Sequence, residues 1–74
     1  MPHISIKMYP GRDETLKRKL SEEVVRTTVE TLGVPEKAVS VSIEEIPKEN
    51  WNEEVVIPDI VQKEKNMYVN PYAK

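Results

Sequence analysis

Cysteine is absent from this 74-residue sequence. No disulfide can staple the fold, and no thiolate can serve as nucleophile or metal ligand. Histidine occurs once, as His3, so no protein-only metal site is expected. Glycine occurs only at positions 11 and 33, which leaves no phosphate-cradling glycine loop. Neither sign of charge predominates: 11 basic residues are interspersed with 13 acidic ones, for a net charge of -2. That balance gives no electrostatic reason to expect nucleic acid or an anionic membrane as partner. No apolar run approaches the roughly 20 residues of a membrane span, and no signal-peptide core is visible. A cytoplasmic location is the expectation.

The chain is short enough for one domain, residues 1–74. A chain of this size buries only about 60% of its unfolded surface and is marginal alone. Small scaffolds make up the deficit with disulfides, a metal or a partner subunit. With the first excluded and the second not expected, a homo-oligomer is expected.

His3 to Tyr9 alternates, with Ile4, Ile6 and Met8 on one face and His3, Ser5 and Lys7 on the other. This period of two predicts a strand with one buried face, and Pro10-Gly11 ends it as a turn. Asp13 is suited to cap a helix and Glu14 to its first turn. Leu16, Leu20, Val24, Val25, Thr28, Val29 and Leu32 follow at spacings of three and four. They predict one apolar stripe on a helix of about five turns. Gly33 sits where a left-handed cap belongs, and Pro35 blocks continuation. Ala38 to Ile46 alternates again, with Val39, Val41 and Ile43 on one face. Strand, long helix, strand predicts a β-α-β unit of the α+β or α/β class, with two parallel strands and a right-handed crossover. Two strands and one helix leave open sheet edges, which a second copy is expected to cover.

Pro47 breaks the pattern. Short helices are expected around residues 48–54 and 58–65, with Pro58 interrupting or opening the second. Trp51, the single tryptophan, reads either as a plug for a subunit interface or as the wall of a pocket. The tail from Met67 shows no periodicity and is expected either to dock on a partner or to hang loose.

Few side chains can do chemistry. A Ser-His-acid triad would have to recruit His3, and no nucleophile elbow surrounds any serine. The adjacent pairs Glu44-Glu45 and Glu53-Glu54 read as solvated charges. Pro2 is different. Once Met1 is clipped, its nitrogen becomes a secondary amine that can take and return a proton. An α-amino group titrates near pH ~7.7–8.0 in water. Apolar walls or a nearby cation pull that toward neutrality, where a general base is most useful. Met-Pro alone reads more readily as a frayed terminus, but a strand starting at His3 holds Pro2 in a sheet. Arg12, between that strand and the helix N-terminus, is placed to hold a carboxylate together with free backbone N–H groups.

Pro2 opening a strand, Gly11-Arg12 after it, the long helix, Val34-Pro35 before the second strand and Trp51 beyond it together resemble the 4-oxalocrotonate tautomerase family. The resemblance covers residues 2–51, with 52–74 as a C-terminal extension. That extension and the opening Pro2-His3-Ile4 look like a dimeric bacterial phenylpyruvate tautomerase branch, whereas shorter members form hexamers as trimers of dimers. The resemblance implies a tautomerase, an isomerase that interconverts enol and keto forms of a small α-keto acid with no cofactor and no metal. Pro2 would be the general acid and base. Arg12 would bind the substrate carboxylate, and Trp51 would keep the site apolar and lower the amine's pKa. Ser40 stands where the family's second arginine aligns. A hydroxyl cannot clamp a second carboxylate, so a monoacid such as an arylpyruvate enol is expected. His3 could donate to a substrate oxygen. Two other readings are a hydratase or dehalogenase of a small unsaturated acid, which a nearby Glu45 or Glu49 would favour, and a non-enzymatic oligomeric module if Met1 is retained.

Overall fold

In a computed structural model, which describes residues 1–73, Asp13 turns the chain from a strand into a helix. Strand β1 runs His3–Met8, helix α1 runs Glu14–Leu32 and strand β2 runs Ser40–Glu45. The strands are parallel, in the register His3↔Ser40 through Met8↔Glu45. The ladder extends beyond both ends. The Ser40 N–H donates to the Pro2 carbonyl at 3.1 Å, and the Ile46 N–H to the Met8 carbonyl at 2.8 Å.

The predicted caps of α1 are present. The Asp13 carboxylate accepts from the Leu16 N–H at 2.9 Å. At the other end Gly33 adopts φ +70° and donates to the Val29 carbonyl. Gly11 also has a positive φ, +124°, and there the chain leaves β1. The β-α-β unit is therefore as the alternation and capping pattern predict. Val39 falls just outside β2, after a 3₁₀ turn at Glu36–Ala38.

The helix stripe is shifted from its expected position. Lys17, Ser21, Val24, Val25, Thr28 and Val29 are half-buried, whereas Leu16, Leu20 and Leu32 are exposed. A spacing of three and four defines a stripe about 100° wide but not which of its edges meets the sheet. Among the described residues only Ile46 and Val55 are buried. A single chain thus has barely a core.

The C-terminal segment departs most from expectation. Instead of two helices parted by Pro58, one π-helix spans Asn52–Val61 with Pro58 inside it. It is flanked by 3₁₀ turns at Lys48–Asn50 and Glu64–Asn66. In an α-helix the proline ring clashes with the carbonyl four residues back. The wider i→i+5 turn moves that carbonyl aside. The segment crosses the sheet face opposite α1, where Lys7 Nζ donates to Asp59 Oδ2 at 2.6 Å. Lys17, under α1, pairs with Glu45 at 3.3 Å on the other face. The sheet therefore lies between two helical layers. Among the described residues no helix is long and apolar enough to cross a membrane.

Candidate active site

The sheet gathers the candidate residues at its two ends. At the head of β1, Pro2 is half-buried and its carbonyl is fixed by the Ser40 N–H. Beside it, His3 Nδ1 and Ser40 Oγ share a hydrogen bond of 2.7 Å. Parallel register puts these two residues side by side, so their side chains rise from the same face. Met1 is 99% exposed, which leaves its peptide bond to Pro2 open to a processing enzyme.

At the tail of β1 lies a second group. Tyr9 and Trp51 meet edge to face, with ring centroids 4.8 Å apart and planes at 79°. This geometry sets the positive ring edge against the negative face. The Trp51 indole N–H donates to the Tyr72 hydroxyl at 3.1 Å. Lys7, Met8, Tyr9, Arg12, Trp51 and Tyr72 surround a cavity of about 430 Å³. The tail therefore docks, and it docks on its own chain. Lys74 lies outside the described residues.

Two cations border this cavity. The Lys7 ammonium is held by Asp59, and that hydrogen bond raises the Lys7 pKa. The same bond holds the Asp59 carboxyl below the usual carboxylate range. Among the described residues no carboxylate partners the exposed Arg12 guanidinium. Arg12 is thus, among the described residues, the cavity's cation without a carboxylate partner, and it shares the lining with the rings of Tyr9 and Trp51. Among the described residues the cavity lining holds no carboxylate. Glu45 faces α1 and is paired with Lys17.

Arg12 and Trp51 are therefore brought together, as are Pro2, His3 and Ser40, but the two groups are not brought to each other. The six residues of β1 stand between them, about 20 Å at 3.3 Å per residue. Lys7, Met8, Tyr9 and Tyr72 complete the second group and were not singled out by sequence. For Tyr9 the available signal was an aromatic beside Pro10-Gly11-Arg12. For Tyr72 it was the turn-forming Asn70-Pro71 just before it.

Comparison with known proteins bears on the fold and the family. The tautomerase enzyme family matches residues 2–58. A probable tautomerase of Xylella fastidiosa (strain 9a5c) is 40% identical over 60 residues, covering 81% of this chain and 73% of that protein. The 2-hydroxymuconate tautomerase of Comamonas testosteroni is 45% identical over 51 residues, 69% of this chain and 81% of that protein. Among solved structures, a 4-oxalocrotonate tautomerase isozyme of Methylibium petroleiphilum superposes with a TM-score of 0.65 at 40% identity, covering 68% of this chain and 81% of that one. With its β-α-β unit, a family match over residues 2–58 and relatives at 40% identity or more across two thirds of its length, the chain belongs to the tautomerase family.

Proposed function

We infer that this tautomerase-family protein moves a proton between carbon and oxygen of a small α-keto acid, using the amine of Pro2 and no cofactor. The observation that carries the reading is the hydrogen bond from the Ser40 N–H to the Pro2 carbonyl. It anchors residue 2 in the ladder, so a trimmed terminus is a fixed amine and not a frayed one. Enol–keto exchange needs one group to carry the proton and one to hold the acid and draw electron density from the developing enolate. Pro2 supplies the first and Arg12 the second. Where a second copy brings them to Pro2, Trp51 and Tyr9 disfavour the ammonium by desolvation, and Arg12 does so by repulsion. Both lower the amine's pKa toward neutrality.

The separation of Pro2 from Arg12 along β1 then calls for a second copy. An antiparallel, two-fold pairing sets the head of one β1 level with the tail of the other. Pro2 of one protomer meets Arg12 and Trp51 of its partner, which fits a dimer; a hexamer would stack three such pairs. With Ser40 in place of a second cation, the substrate carries one carboxylate, as an arylpyruvate enol does. Of the carboxylates that a hydratase or dehalogenase could use to activate water, Glu45 is instead paired with Lys17 on the α1 face.

The test is ketonisation of an arylpyruvate enol by the chain with Met1 removed and with Met1 retained, each verified by intact mass. Removal converts an amide nitrogen into a base. The rate is expected to rise by about 100- to 10,000-fold, the range for a positioned acid–base group. Equal rates would assign the proton transfer to another residue.

A further inference from the structure

The family match ends at residue 58, yet the cavity around Arg12 is lined in part by residue 72. Tyr72 is held there by its own turn. The Asn70 carbonyl accepts from the Ala73 N–H at 3.2 Å, and Asn70 Oδ1 accepts from the Tyr72 N–H at 2.9 Å. Pro71 sets the φ of the turn's second residue. The backbone of Tyr72 is thus fixed from one side, and Trp51 fixes its hydroxyl from the other.

The direction of that second bond matters. An indole N–H only donates, so the Tyr72 oxygen is the acceptor. The hydroxyl hydrogen takes no part in that bond and is available to another oxygen. The cavity therefore offers a charged donor fork at Arg12 and a neutral donor at Tyr72. Its other cation, Lys7, is occupied by Asp59.

We propose that Tyr72 is a specificity-determining residue that donates its hydroxyl hydrogen to the 2-oxo oxygen of an acid whose carboxylate Arg12 holds. The assignment rests on the carboxylate-binding role of Arg12 argued above. It predicts discrimination between a 2-oxo acid and the same acid without the oxo group. A site with a donor placed for an oxygen leaves that donor unpaired when the oxygen is missing.

The probes are benzoylformate, which has the 2-oxo oxygen and no hydrogen to enolise, and phenylacetate, which has the same ring and carboxylate without it. Binding is measured by calorimetry on the full-length chain, so turnover does not enter. Wild type is expected to prefer benzoylformate. Tyr72→Phe keeps the ring and should weaken benzoylformate about tenfold while leaving phenylacetate within about twofold, as loss of one hydrogen bond predicts. Arg12→Ala should weaken both. If Arg12→Ala weakens both acids but Tyr72→Phe changes neither, or changes both equally, the Tyr72 role is overturned and the acid site stands. A wild type with no preference has the same meaning. If Arg12→Ala changes neither acid, the acid site itself falls, and the Tyr72 role falls with it.

Discussion

The indole N–H of Trp51 donates to the hydroxyl of Tyr72 at 3.1 Å, across 21 residues of sequence. The same indole meets Tyr9 at a steep interplanar angle of 79°. One side chain thus ties the end of β1, the entry to the π-helix and the tail into a single corner. That corner is also where Arg12 stands.

Trp51→Phe should release the tail without unfolding the β-α-β unit. It keeps an aromatic ring for Tyr9 but removes the indole N–H that donates to the Tyr72 hydroxyl. A net hydrogen bond is worth about 1 kcal/mol, so amide exchange at Tyr72 and Ala73 should speed up roughly fivefold. Exchange in β1 and β2 should stay slow. Unchanged exchange at residues 72 and 73 would mean that the Asn70 turn alone holds the tail.

The β-α-β unit was legible because every level of the sequence agrees on it. Alternation in His3–Met8, the Asp13 cap, the Gly33 stop and alternation before Glu45 all point to one topology. What pairs with what across distance was not legible. The exposure of Leu16, Leu20 and Leu32 depends on which edge of the stripe meets the sheet, and periodicity does not encode that. An α-turn makes Pro58 either an interruption or the opening of a helix, whereas the wider turn holds it inside one. Pro2, Arg12 and Trp51 could be named from sequence. Their division between two ends of one strand required the length of β1, and Tyr72 required a long-range contact that no spacing announces.

Gly33→Ala should cost about 1 kcal/mol. At φ +70° the backbone is left-handed, and a methyl group there would meet nothing within 4 Å. The penalty is therefore conformational and not a clash. Asp13→Ala, at the opposite end of α1, should cost a similar amount, about 1 kcal/mol, by losing the Leu16 N–H acceptor. Urea denaturation at fixed protomer concentration measures both, since oligomers lose stability on dilution. The sites are far apart, so the double variant should show the sum.

The Lys7–Asp59 pair gives the docking of the C-terminal segment a defined pH window. The hydrogen bond from Lys7 lowers the Asp59 pKa, so in mild acid the folded chain binds fewer protons than the unfolded one. Its contribution is complete above the ordinary aspartate value, about 3.9, and is lost as pH falls through the lower folded value. Lys7 is raised by the same bond. Its contribution is complete below the ordinary lysine value, about 10.4, and is lost as pH rises through the higher folded value. Asp59→Asn should therefore be less stable than wild type at pH 7, with the gap closing in strong acid and strong base. Both side chains are about a quarter exposed, so the gap should be modest and should narrow with salt. Denaturation midpoints of the two proteins across pH decide it, and a gap that widens in acid would contradict the assignment.

Arg12→Ala should raise KM by roughly thirtyfold, about 2 kcal/mol for a lost charge-assisted contact, with kcat changing less. Arg12→Lys should recover only part of this, because an ammonium cannot grip a carboxylate with two parallel donors. The separation along β1 adds a sharper expectation. If each site takes Pro2 from one protomer and Arg12 from the other, a Pro2→Ala chain and an Arg12→Ala chain complement each other. A mixed dimer then contains one site with both residues intact and one with neither. Random exchange makes about half the dimers mixed, so activity should recover to about a quarter of wild type in a two-fold assembly. A site built within one chain would instead give the plain average of the two inactive variants, and mixing would restore nothing.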